Sequence, residues 1–193
     1  FAVMTGRRVQ GFPEPGKSPI PLLGPSRDAE KLEIDRRHGM QIMQDAGIEV
    51  PDWWFFDNIN KAIKFAQDHG SPLVIKPNGA HALSYMSVVG HANDNADVIA
   101  MLKLAVRKDA EIATKGIIFQ ELVEGVEMSA GAFFNGTDFV MPAMLTFENK
   151  RFAPPPYTGP ATGELGSYAL FDYENKLFAE TTKKVGRYLT EIV

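Results

Sequence analysis

Residues 71–90 read SPLVIKPNGAHALSYMSVVG, and the first half of that stretch sets the architecture. Leu73, Val74 and Ile75 form an apolar run with turn residues on either side, which predicts a strand over 72–76. The strand delivers Lys76 to its end, and Asn78 and Gly79 then begin a turn. Ser87 to His91 reads as the returning partner strand. A strand end fixes a lysine's stem while its ammonium stays near solvent, which suits an anionic phosphate. An ordinary surface lysine fits the same position. A mobile phosphate lid between the two strands would need bare glycine backbone and a second cation. Leu83, Ser84 and Tyr85 stand in its place.

Working outward, Asn58 is a candidate cap for a helix whose Ile59, Ala62, Ile63 and Ala66 keep one apolar face before Gly70 stops it. Downstream, Asp94 is the expected cap of a helix burying Val98, Ile99, Leu102, Ala105 and Val106, and Gly116 closes that excursion. Upstream, Ser26 or Asp28 can cap a short helix through Leu32, and Asp35 a second one ending at Gly47. An extended piece then runs into Trp53 to Phe56. After Gly116, Ile117 to Val123 and Met128 to Phe134 read as strands, and Asn135-Gly136 as a hairpin turn into Phe139 to Phe147. A helix over 174–192 closes the chain. This order predicts an α+β fold with mostly antiparallel pairing, in two α+β lobes. The expected division is a lead-in or remnant over 1–25, the first part of the core over 26–51, a smaller lobe over 52–118, and a hinge with part of a larger lobe over 119–193.

Composition narrows the function. With 193 residues, 45% of them hydrophobic, the chain can bury one sizeable core or two small ones. A formal net charge of −4 argues against a protein whose main partner is a nucleic-acid backbone. The absence of cysteine removes disulfides, thiolate metal sites and cysteine nucleophiles. No apolar run approaches the roughly 18 residues of a membrane span, and no signal peptide opens the chain. The expectation is a cytoplasmic protein without nucleic-acid or membrane partners. Five of the thirteen prolines fall in residues 1–25, which marks an extended lead-in.

Three further groups can carry chemistry. Phe119-Gln120-Glu121-Leu122-Val123 ends a strand at a short linker, where backbone groups of Gln120, Glu121, Leu122 and Val123 can read a heterocycle edge. Gly125 then turns the chain so that Glu127 can point back toward the same place. A core strand and a plain turn satisfy the same residues. Lys150-Arg151 precedes a glycine-rich segment with Thr158, Gly159, Pro160, Thr162 and Gly163, in which a tight loop over 158–166 can offer N–H groups and hydroxyls to a small anion. His38, His69, His81 and His91 form no metal-ligand spacing and read as solvated or locally hydrogen-bonded. Neither a GxSxG elbow nor a GxxxxGK[ST] loop occurs.

The order of these pieces resembles the ATP-grasp superfamily, and within it the phosphoribosylamine–glycine ligases, or glycinamide ribonucleotide synthetases. The resemblance runs through GPSRDAEKLE (24–33), DAGIEVP (45–51), PLVIKPNG (72–79), FQELVEGVEMS (119–129) and, most diagnostically, FENKRFAPPPYTGPATGELGSY (147–168), similar to the family's QDHKR followed by DTGPNTGGMGAY. It implies ATP held between two lobes, activation of a carboxylate as an acyl phosphate, and amide formation with an amine. For the family these are glycine and phosphoribosylamine, in purine biosynthesis.

By position, the resemblance makes Arg36 and Lys76 phosphate-neutralising and, with Arg151, catalytic. Gly79 and His81 would border the phosphates, Gln120 to Val123 would read adenine, and Glu127 would hold ribose. Lys150, Arg151, Thr158, Gly159, Pro160, Thr162 and Gly163 would face the substrates. Mg²⁺ is implied as cofactor, with its ligands expected outside this chain and no metal ligand within it.

This sequence departs from the family at the lid, where glycine-lysine-glycine becomes Leu83-Ser84-Tyr85, and at Ala161 and Glu164, which replace an asparagine and a glycine. The chain is also expected to be incomplete at both ends. Another ATP-grasp ligase with different substrates, or an inactive nucleotide-binding domain, therefore stands beside the first reading.

Overall fold

A computed structural model describes residues 2–3, 22–23, 27–79, 87–108, 115–135, 137–151 and 161–192; for 2–3, 22–23, 27, 108, 148–151, 161–167 and 185–192 it describes the backbone alone. Two short strands, β1 (Ala2–Val3) and β2 (Leu22–Leu23), pair in parallel. Helices α1 (Arg27–Ile34) and α2 (Arg36–Asp45) follow, separated by Asp35, whose carboxylate accepts from the His38 N–H and caps α2. Gly47, at φ +73°, ends α2 by letting its own N–H reach the Gln44 carbonyl and the Ile48 N–H reach Met43.

The next elements are β3 (Trp53–Phe56), α3 (Ile59–His69), β4 (Leu73–Pro77), β5 (Val88–Val89), α4 (Ala96–Lys108) and β6 (Ile117–Glu121). They build a four-stranded antiparallel sheet in the order β3-β6-β4-β5. Alternation along β4 and β6 sends Leu73, Ile75, Ile117 and Phe119 to one face, where Ala62 and Ala66 of α3 and Val98, Ile99 and Leu102 of α4 complete a buried core. Trp54, Phe56 and Phe65 pack at its edge. Removing these side chains from water is the main stabilising term for the unit, at about 1.5–3 kcal/mol for each large apolar side chain. The helix α3 starts where expected, with Asn58 Oδ1 accepting from the Asn60 and Lys61 N–H groups, and stops at left-handed Gly70.

Two details of this first unit differ from the sequence reading. The cap of α4 is Asn95 and not Asp94: the Asn95 carbonyl accepts the Ile99 N–H, while the Asp94 carboxylate makes a turn contact with the Ala96 N–H. Asn95 has φ 55° and is fully buried, because its side chain accepts from the Leu73 N–H and donates to the carbonyls of Ala66 and Ser71. His69 is half-buried. It is wedged against Trp54 and Phe65, with its Nε2 buried and unpartnered.

Asp97 receives the His91 and Ala92 N–H groups at the start of α4. Its carboxyl lies below the ordinary aspartate value: burial opposes ionisation, and the N–H donors of His91, Val98 and Ala92 outweigh it.

Past Glu121 the chain crosses an exposed linker to β7 (Met128–Phe134), β8 (Phe139–Arg151) and β9 (Ala161–Asp172), a second antiparallel sheet ordered β7-β8-β9. Helix α5 (Lys176–Ile192), capped by Asn175 Oδ1, meets this sheet where Phe178 packs edge-on against Phe139. The segment over 158–166 is not wholly a loop, since residues 161–166 belong to β9. Between the pairs Asn149↔Gly166 and Arg151↔Ala161, one residue of β8 faces four of β9, 162 to 165. Glycines weaken a regular ladder, and the outcome is a wide bulge opposite Lys150. Among the described residues, no helix is long and apolar enough to cross a membrane.

Candidate nucleotide site

The first sheet has a second face, and the same alternation decides what it carries. Registers place Phe55, Ile118 and Lys76 in one row across β3, β6 and β4, and Trp53, Gln120, Val74 and Val89 in the next. This face is an apolar platform with two polar side chains, Lys76 and Gln120. Over the β3–β6 half lies α2: the Gln120 amide donates to Met40 Sδ at 3.3 Å, and the Arg37 guanidinium sits 4.8 Å from the centre of the Phe55 ring. Gly116, at φ +87°, sits beneath that ring, where a Cβ would collide with it.

At the end of β4 the chain is tied to the junction of α1 and α2. Arg36 Nε donates to the Pro77 carbonyl at 3.1 Å, so its guanidinium is held one residue from Lys76. The Gly79 N–H donates to the Ile34 carbonyl at 3.1 Å. Asn78 Oδ1 accepts the Arg36 N–H at 2.7 Å, and Asn78 Nδ2 donates to Asp35 Oδ1 and to the Lys115 carbonyl. Gly79 has φ +107°, and the stem of Lys115 packs where a Cβ would be. Two cations from separate elements therefore converge on one strand end beside an apolar face. That donor set fits an anionic phosphate next to a flat ring.

The strand-end segment also takes shape. Gln120 lies inside β6 with neighbours on both sides, so its backbone belongs to the ladder and its buried side chain faces Met40. The Glu121 N–H is taken by the Asp52 carbonyl, and the registers end there. Open backbone begins at Leu122 and Val123, the latter 67% exposed. Glu127 is exposed at the far end of the linker, just before β7.

Lys150 and Arg151 end β8, and Thr162 and Gly163 lie in the bulge across from them, so backbone pairing brings these four together. His81, the lid positions 83–85, Thr158, Gly159 and Pro160 lie outside the described residues. Among the described residues, no group of three or more histidine, aspartate or glutamate side chains is arranged to hold a metal ion. Asn78, Lys115 and Met40 were missed in the sequence. Only the Asn78-Gly79 pair carried a local signal, as a turn.

Comparison with known proteins places the chain in a family. The model of the phosphoribosylglycinamide synthetase ATP-grasp (A) domain matches residues 35–191. A phosphoribosylamine–glycine ligase from Methanoregula boonei is 32% identical over 155 residues, covering 80% of this chain and 34% of that protein. One from Streptococcus pneumoniae is 31% identical over 150 residues, covering 78% and 35%. The chain thus spans about a third of the length of the curated relatives it matches. Among solved structures, a phosphoribosylamine–glycine ligase from Thermotoga maritima superposes with TM-score 0.59 at 20% identity, over 89% of this chain and 42% of that one. A D-alanyl-alanine synthetase from Vibrio cholerae gives TM-score 0.60 at 13% identity, over 89% and 52%, which speaks for the shared fold alone. With an α+β ATP-grasp fold and a family match over most of its length, the chain belongs to the phosphoribosylglycinamide synthetase ATP-grasp (A) domain family.

Proposed function

We propose that this chain is the nucleotide-holding part of an ATP-dependent carboxylate–amine ligase that acts through an acyl phosphate, most like phosphoribosylamine–glycine ligase. The observation that carries the reading is the convergence of Arg36 and Lys76 at the end of β4, on the sheet face that also carries the apolar Val74 and Val89. ATP supplies the phosphoryl group that activates the acid. The chain's own residues do the holding. Arg36 and Lys76 neutralise phosphate oxygens, Val74 offers apolar surface to the base, Leu122 and Val123 offer open backbone to its edge, and Glu127 takes the ribose. Reactions of this type spread negative charge over phosphoryl oxygens, so fixed cations contribute most of the stabilisation. Lys150 and Arg151, beside the bulge with Thr162 and Gly163, are assigned to the substrates, with glycine and phosphoribosylamine as acid and amine. Mg²⁺ is assigned to ligands outside this chain. Residues 52–118 are read as the smaller lobe, and the chain from 119 as hinge and larger lobe.

The experiment uses the full-length protein that contains this chain. ADP formation should require both glycine and phosphoribosylamine, and hydroxylamine with glycine alone should yield glycine hydroxamate by trapping the acyl phosphate. Hydroxamate formation with another amino acid and not with glycine would favour a different ATP-grasp ligase, as the changed residues Ala161 and Glu164 allow. ATP binding without hydroxamate from any acid would favour an inactive nucleotide-binding domain.

A further inference from the structure

One side chain touches both segments that carry the converging cations. Asn78 Oδ1 accepts the Arg36 N–H at 2.7 Å, its Nδ2 donates to Asp35 Oδ1 at 3.2 Å and to the Lys115 carbonyl at 3.3 Å, and its own N–H donates to the Gly116 carbonyl at 3.0 Å. We propose that Asn78 is a positioning residue for the phosphate site, holding the start of α2, with Arg36, in register with the end of β4, with Lys76. The inference rests on reading Arg36 and Lys76 as phosphate-binding cations.

The chemistry of the position requires an amide. One side of the residue presents a backbone N–H and needs an acceptor. The other side presents a carboxylate and a carbonyl and needs a donor. Aspartate would keep the first bond and set a second carboxylate against Asp35. Serine is too short to span both sides. The fold itself does not hang on this side chain: the end of β4 is also held by its register with β6 through Pro77↔Ile117, by Arg36 Nε on the Pro77 carbonyl, and by the Gly79 N–H on Ile34. What Asn78 adds is a fixed spacing between two cations that must reach the same anion, and a loose spacing forfeits part of that joint contact to ordering cost.

The test is calorimetric titration of ATP and of adenosine against the full-length protein, with urea midpoints measured alongside. Asn78→Asp should weaken ATP about five- to thirtyfold, on the scale of one or two lost hydrogen bonds, and leave adenosine within about twofold. The exchange Asp35→Asn with Asn78→Asp removes the repulsion between two carboxylates but leaves the Lys115 carbonyl facing an acceptor, and should recover part of the ATP affinity that Asn78→Asp alone loses. Asn78→Ala adds no charge and should shift ATP in the same selective way. Equal losses for ATP and adenosine, an exchange no better than Asn78→Asp alone, or an Asn78→Ala protein that does not fold would each make Asn78 merely structural and overturn the proposal, leaving the nucleotide site standing. A parent protein that binds neither ligand would overturn the nucleotide reading and this inference with it.

Discussion

Asn95 offers the sharpest test of how the smaller sheet is held. Its side chain is fully buried and fills three roles: acceptor for the Leu73 N–H at 3.0 Å, and donor to the Ala66 and Ser71 carbonyls at 3.1 and 2.8 Å. It thereby joins the end of α3, the start of β4 and the cap of α4. Asn95→Ala strands a buried N–H, which costs about 1–3 kcal/mol, and removes donors from two carbonyls, of which the part-buried Ser71 oxygen loses less. Alanine at φ 55° adds about 1 kcal/mol. The total is about 3–5 kcal/mol, a lowering of the melting temperature by roughly 10 °C for a chain of this size. Urea unfolding followed by tryptophan fluorescence reads it directly, because Trp54 packs on this core. Asn95→Gly loses the same bonds without the backbone strain and should be about 1 kcal/mol less damaging. An alanine variant within about 0.5 kcal/mol of the parent, or a glycine variant worse than alanine, would refute the reasoning.

Gly116→Ala should destabilise by about 2–4 kcal/mol in the same assay, since its φ of +87° strains any side chain and the new Cβ meets the Phe55 ring. Asp97 has a lowered carboxyl pKa, so its contribution to stability is fully present above the ordinary aspartate value and is lost as pH falls through the lowered one. Asp97→Asn should therefore flatten the acid limb of a stability-against-pH curve below that ordinary value, and an unchanged limb would contradict the assignment. Replacing Leu83-Ser84-Tyr85 by Gly-Lys-Gly should tighten ATP and leave adenosine unchanged, because only phosphates gain N–H donors and a cation. Equal tightening of both ligands would mean the segment is no phosphate lid.

Much of this was legible from local signals. Apolar periodicity located α3 and α4, short apolar runs beside turn residues located β4 and β6, and Asn58, Gly70 and Gly47 marked helix ends by conformational needs that few residues meet. The cap of α4 was misassigned because Asp94 and Asn95 are both good caps. Only burial beside Leu73 and Ala66, set by tertiary packing, selects the amide over the carboxylate. His69 was misread because one histidine on a helix end carries no sign of its aromatic neighbours, Trp54 and Phe65. The strand over 161–166 was hidden by its own glycines, since a bulge and a loop share the same residue types and differ only in having a partner strand. At the site, Lys76 was visible as a charge at a strand end. The Asn78 bridge was not, because it joins residues far apart in the chain and leaves no periodic trace.

The central claim is that Arg36 and Lys76 hold nucleotide phosphates at the end of β4. Lys76→Ala in the full-length protein tests it most directly, by titration with ATP and with adenosine. The account predicts ATP binding weaker by on the order of 1.5–3 kcal/mol, about ten- to hundredfold, with adenosine affinity and the urea midpoint unchanged. Equal ATP affinity for parent and variant, or equal loss for both ligands, would contradict it.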